Sequence, residues 1–239
     1  MTTQDTRKVG IFRLINWKPV RFVEIFIFLI LVILLTPLLG RTPLLAALLA
    51  AFLLNIMIVS LSFAGVGIRR RWPLIILWLL GPLLDLAALR TGNIQTAMQL
   101  DVTSDLVRAL LLIIFVVLIL RYVLTSNEVT LDTIFGAFVA YFLIAFAFSA
   151  IFQAVAVFEP TSFSMVGITD GEDGSSLKMR LNYFSFVTIA TLGYGDIVPR
   201  LPVTQTLAIL EAVIGQFYMA ALIAWLVSVH AGRGGRNHP

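Results

Sequence analysis

The stretch Thr188-Ile189-Ala190-Thr191-Leu192-Gly193-Tyr194-Gly195-Asp196 decides how the rest of the chain is read. Gly193 and Gly195 alternate with larger residues, and glycine adopts positive φ without the steric cost that other residues carry. Alternating left- and right-handed conformations can turn successive carbonyls toward one side. Several such strands around an axis would make stacked rings of oxygen, which can replace the water shell of a monovalent cation. The stretch follows an apolar segment, Lys178 to Ala190, that is too short to cross a bilayer, since a spanning helix needs roughly 20 residues. Irregular backbone at membrane depth is tolerated only where protein buries it or it lines a wet path.

The whole composition agrees with a membrane setting. The chain has 239 residues, 59% hydrophobic and 13% charged. A soluble domain carries about a quarter charged residues and needs a polar skin that this chain lacks. The composition therefore argues against a soluble enzyme. Without cysteine there is no disulfide framework, thiolate metal site or cysteine nucleophile, and two histidines leave little for metal binding or histidine catalysis. The net charge of +4 suits either nucleic acid binding or basic cytoplasmic loops.

Six apolar stretches predict transmembrane helices: Arg21–Leu39, Pro43–Gly65, the short Pro73–Leu89, Ser104–Leu124, Thr133–Phe158 and Val203–His230. The first reads as an uncleaved helix, because no small-x-small cleavage pattern follows it. With both termini cytoplasmic, the inside holds Arg7, Lys8, Arg13, Lys18, Arg21, Arg69, Arg70, Arg71, Arg121, Arg233 and Arg236. The outside then holds Arg41, Arg90, Lys178, Arg180 and Arg200. This asymmetry is the positive-inside pattern, so the basic balance reports orientation rather than a nucleic-acid partner. The external side is mildly acidic, a field that concentrates cations. Within the external segment Glu159–Ser176, the run Asp170-Gly171-Glu172-Asp173-Gly174 lacks the ligand alternation of a calcium loop and reads as a solvated acidic loop.

Thr191-Leu192-Gly193-Tyr194-Gly195-Asp196 resembles the selectivity filter of the tetrameric potassium channel family, Thr-Val/Ile/Leu-Gly-Tyr-Gly-Asp. The resemblance covers Thr133 to His230, a helix, re-entrant loop and helix, and includes Pro199. It implies an all-α integral membrane protein with six transmembrane helices. A pore helix and filter loop would lie between the fifth and sixth. One filter motif and no internal repeat imply a homotetrameric pore. The expected segments are a basic N-terminus (1–20), a four-helix domain resembling a degenerate voltage sensor (21–126), a pore domain (127–230) and a short tail (231–239). With so short a tail, no attached nucleotide-binding or regulatory domain of the usual size is expected.

The resemblance also implies roles. The Thr191 hydroxyl and carbonyl, with the carbonyls of Leu192, Gly193 and Tyr194, would coordinate dehydrated K+. The Tyr194 ring would pack sideways and help hold the diameter. Gly195 would permit the outer turn, and Asp196 would sit at the mouth. Tyr183 and Phe184 would pack around the filter, with Thr188 and Val187 in support. Val187 stands where some members place a glutamate paired with the mouth aspartate, so Asp196 lacks that partner. Gly215 stands where many members have a hinge glycine; tight helix packing is the other use of such a residue. Gln216, Met219, Ile223 and Val227 share a helical face that would line the cavity. Glu211 lies well round the helix from Gln216, so it is expected behind the filter, hydrogen-bonded to the pore helix, or acting as a titratable gating group.

The fourth helix offers only Arg108 and Arg121 as positive charges. Arg108 can pair with Asp105 three residues earlier. One charge crossing a 100 mV field does about 2.3 kcal/mol of work, so two residues near the helix ends do not make a steep voltage sensor. Glu24, Asn55 and Asp85 suit interhelical hydrogen bonding, with a degenerate sensor or a ligand site as the other reading. The basic segment Arg7–Arg21 suits anionic headgroups or a plain topology signal. The expected function is passive K+ conduction in a cell membrane, with K+ as permeant ion and no cofactor. The competing classes are a less selective cation channel, a potassium transport system and a membrane enzyme. Transport systems usually carry four degenerate loops in one chain. Asp101, Asp105, Asp170, Glu172 and Asp173 show no catalytic spacing.

Overall fold

In the computed structural model of the protein, residues 21–39, 68–126, 129–166 and 174–234 are described. The predicted second span at 43–65 with Asn55, the basic segment 1–20, the acidic run 170–173 and the last five residues lie outside them. The helices are α1 (Arg21–Leu39), α2 (Ile68–Arg90), α3 (Ile94–Thr125), α4 (Leu131–Phe158), α5 (Gly174–Ile189) and α6 (Pro202–Gly234). A 3-10 turn at Pro160–Ser162 leads into strand β1 (Phe163–Met165), and strand β2 (Ile197–Pro199) precedes α6.

Among the described residues, four helices are long and apolar enough to cross a membrane: α2 from Pro73, α3, α4, and α6 as far as Ser228. The apolar part of α1, Phe22–Leu35, is shorter. With 16 residues, α5 reaches only about 24 Å at 1.5 Å per residue, less than a hydrocarbon core of roughly 30 Å.

Two helices begin well before their apolar stretches. α3 starts ten residues ahead of Ser104, because the Asn93 side chain accepts from Gln95 N–H and Thr96 N–H and caps its first turn. The polar residues that follow, Gln95 to Asp101, hide this start from a hydropathy reading. α2 continues back through Pro73 to Ile68 and also contains Pro82. Proline is tolerated in membrane helices when neighbours satisfy the disturbed backbone. Separately, the Ser104 hydroxyl of α3 donates to the Gly81 carbonyl of α2 at 3.2 Å and ties the two helices together.

The core forms along α4. Val139, Ala140 and Leu143 of α4 are fully buried against Phe115, Ile119 and Val123 of α3 and Phe22, Ile25 and Leu29 of α1. Residues 126–130 join α3 to α4, a link short enough to make the two helices neighbours. Thr130 and Thr133 form a reciprocal capping box at the start of α4. The Phe22 N–H donates to Asp132 Oδ1 at 2.7 Å and fixes the start of α1 beside it. A second cluster carries the site. Phe152 of α4, Phe163 of β1 and Phe184 of α5 meet edge to face with centroids 5.2 to 5.7 Å apart. Leu181 and Ile197 complete it. Both the short helix and the strand beyond the glycine loop are thereby seated on α4.

Candidate functional site: the glycine loop between α5 and β2

The loop is fastened at both ends. At the α5 end, Ala190 N–H donates to Phe186 O at 3.2 Å, Thr191 N–H to Thr188 O at 2.9 Å and Leu192 N–H to Val187 O at 2.9 Å. These bonds satisfy carbonyls that a helix C-terminus otherwise leaves open. At the far end, β2 pairs antiparallel with β1, with Phe163 opposite Pro199, Ser164 opposite Val198 and Met165 opposite Ile197. Val166 N–H donates to Asp196 O and Arg200 N–H to Ser162 O, each at 2.9 Å.

Between these anchors every second residue is left-handed: Thr191 at φ 57°, Gly193 at 58° and Gly195 at 78°. A Cβ on Gly193 or Gly195 would meet nothing within 4 Å. Backbone conformation, not lack of room, requires glycine there. Thr191 is the one described non-glycine residue with positive φ, a conformation that costs an L-residue roughly 1–2 kcal/mol. The six residues thus adopt the alternation expected from their sequence. In the single chain, the side chains of Leu192 and Tyr194 are 56% and 65% exposed.

The surrounding residues divide by direction. Tyr183 is exposed, and the Asp196 carboxylate beside it holds its phenol above the usual tyrosine range. Asp196 Oδ1 accepts from Ile197 N–H at 3.1 Å. Phe184, expected beside the filter with Tyr183, is buried in the cluster with Phe152 and Phe163 instead. Val187 is buried and Thr188 half-buried, and both act through their backbone carbonyls.

Glu211 is fully buried on α6 and hydrogen-bonds Ser185 of α5. The Ser185 hydroxyl also faces the Ala145 carbonyl of α4 at 2.6 Å. One serine thus links three helices. A hydroxyl has one proton, so both contacts are fully served only when the residue at 211 brings a donor of its own. Glu211 Oε2 has no hydrogen-bond partner among the described residues. On α6, Gly215 lies directly under the end of α5: a Cβ there would sit 2.6 Å from Ile189 Cγ1 and 2.7 Å from the Ile189 carbonyl oxygen. This close approach requires glycine at position 215. Further along α6, Gln216 and Ile223 are exposed and Met219 is half-buried.

Other supports were not anticipated from the sequence. Tyr141 donates to the Ile189 carbonyl at 3.0 Å, and Tyr218 donates to the Ala137 carbonyl at 2.5 Å. Ser149 and Gln153 of α4 contact Asn182 of α5. The signal was present as isolated polar side chains in apolar helices, which usually mark interhelical contacts.

The family described as Ion channel matches residues 109–230, just over half of the chain. The chain belongs to this ion channel family. The matched region runs from α3 through α4, α5 and the glycine loop into α6, so it contains the backbone hydrogen bonds that anchor both ends of the loop. Comparison with curated proteins returns no match. Membership of a channel family and four membrane-capable helices make the protein a membrane ion channel.

Two substitutions probe the support of the loop. Gly215→Ala forces Ile189 and the end of α5 to shift, an overpacking cost of about 1–3 kcal/mol. It is expected to lower the thermal stability of the purified channel and reduce its ion flux. Glu211→Gln keeps a donor for Ser185 and should retain stability within about 1 kcal/mol, whereas Glu211→Ala should lose about 1–3 kcal/mol. Thermal unfolding of both variants in detergent compares the two, and equal losses would show that the Ser185 contact contributes nothing.

Proposed function

We propose that the protein is a potassium-selective channel that conducts K+ passively through a homotetrameric pore. The observation that carries this reading is the alternation of left-handed residues at 191, 193 and 195 within Thr-Leu-Gly-Tyr-Gly-Asp. That alternation aims successive carbonyls along one path, as rings that replace an ion's hydration shell require. The carbonyls of Thr191, Leu192, Gly193 and Tyr194, with the Thr191 hydroxyl, are the proposed K+ ligands. Gly195 makes the outer turn, and Asp196 with Tyr183 sets the mouth. The C-terminal end of α5 adjoins the path, and its dipole favours a cation there.

One chain supplies one strand of such a path, so four copies are needed. The exposed sides of Leu192 and Tyr194, and the exposed apolar residues Leu210, Val213 and Phe217 of α6, are the surfaces available to neighbouring copies. Gln216, Met219 and Ile223 are assigned to the cavity below the filter. The proposed setting is a cell membrane with both termini cytoplasmic. Control by voltage is weak in this reading. Asp101, Asp105, Arg108 and Arg121 are the charged residues of α3 and sum to zero. Moving α3 as a body through the field therefore transports no net charge and gains none of the roughly 2.3 kcal/mol per charge per 100 mV that drives a sensor.

The reconstituted protein is expected to take up K+ in preference to Na+ and to be blocked by external barium. Gly193→Ala, which places a Cβ at φ 58°, and Tyr194→Ala should abolish K+ selectivity. Sedimentation in mild detergent should give a tetramer. Equal K+ and Na+ flux through the wild type would refute selectivity and favour a general cation pore.

A further inference from the structure

A chain of charges lies apart from the loop. Lys178 Nζ of α5 is 3.6 Å from Asp105 Oδ1 of α3. The same oxygen accepts from Arg108 Nη1 at 2.7 Å. Arg108 Nη2 then reaches Asp85 Oδ2 of α2 at 3.0 Å and Ser104 Oγ at 3.4 Å. Ser104 closes the series on the Gly81 carbonyl of α2. Asp105 is fully buried, and its Oδ2 has no hydrogen-bond partner among the described residues. Asp85, Ser104, Asp105 and Arg108 all precede the region matched by the channel family, whereas Lys178 lies inside it.

We propose that Lys178 is a positioning residue for the filter: through Asp105 it clasps α5 to the α2–α3 pair. The proposal rests on reading residues 191–196 as the conducting filter. Arg108 sits one helical turn from Asp105 and would hold that carboxylate whether or not α5 were docked. Among the described residues the second cation on Asp105 is supplied by the docked α5, so Asp105 is better satisfied with α5 in place than without it. A buried carboxylate with one oxygen already unpartnered is sensitive to losing a charge partner. α5 carries the inner anchor of the loop at Val187 and Thr188, so a shift of α5 is a shift of the filter. The acids and bases of the clasp balance, which makes α2–α3 a fixed lateral brace and gives the region before residue 109 a role in conduction.

The test compares Lys178→Met, which keeps the length of the stem without the charge, with Lys178→Arg. Lys178 is one-third exposed, and neither change introduces bulk. Two readouts are taken: the K+/Na+ permeability ratio in planar bilayers, and backbone hydrogen exchange of α5 in the same detergent-purified tetramer. Lys178→Met is expected to lower the ratio and speed α5 exchange, each about fivefold, the scale of a partly exposed ion pair. Exchange in α6 should not change. Lys178→Arg should restore both values, and Asp105→Asn added to Lys178→Met should leave α5 exchange where it was. Wild-type exchange rates in Lys178→Met would overturn the clasp. Faster exchange with an unchanged permeability ratio would overturn the positioning role. A wild-type channel that does not discriminate K+ from Na+ would instead refute the filter reading, and the exchange comparison would still decide whether Lys178 holds α5.

Discussion

The constraint on which the structure turns is that carbonyls can be stacked along one path only by a backbone that L-residues resist. Residues 191, 193 and 195 are left-handed, and one of them is a β-branched threonine. Such conformations persist only where the surroundings over-determine them. The loop is therefore short and tied at both ends, by the amides of 190–192 to the last turn of α5 and by the β1–β2 ribbon beyond Asp196. Glycine removes the cost at two of the three positions, and the anchors carry the third.

Holding the loop then means holding α5, a helix too short to be stabilised by spanning. Between helices in lipid there is no hydrophobic drive, because acyl chains are as apolar as leucine side chains. Specific contacts have to do it. The end of α5 rests on Gly215 and takes a hydrogen bond from Tyr141. Its middle is joined to α4 and α6 by Ser185 and Glu211. One turn earlier Asn182 meets Ser149, and the aromatic cluster of Phe152, Phe163 and Phe184 packs one side. Polar side chains in these apolar helices are concentrated where α5 touches its neighbours.

This division explains what the sequence could and could not reveal. The loop was legible because Gly193 and Gly195 encode φ directly, and its conformation needs no distant partner to be inferred. The lengths of α4 and α6 were legible from their apolar runs. The start of α3 was not, because Asn93 caps a polar turn that hydropathy assigns to a loop. The direction of Phe184 was not either: an aromatic next to Tyr183 can face the loop or α4, and only the positions of Phe152 and Phe163 decide. For Glu211, helical rotation separated it from the face of Gln216 and pointed to the pore helix. The identity of Ser185 as its partner depends on how α5 and α6 cross. Gly215 illustrates the same limit. A hinge and a close approach both call for glycine, and the Ile189 carbonyl that makes the close approach lies 26 residues away in sequence.

The charges of the first helices acquire a structural meaning from the same reasoning. A voltage sensor must carry unbalanced charge through the field, yet Arg108 is bonded to an aspartate of its own helix and to Asp85 of the next. Displacing α3 moves Asp105 together with Arg108, so that pair carries no net charge with it, and the contact with Asp85 resists the motion. The pairs oppose separation of α2 from α3 for the same electrostatic reason that they are insensitive to voltage. With Lys178 as a member, that resistance extends to α5. In the proposed channel, a region that looks like a sensor emptied of charge serves as a support whose remaining charges keep it still.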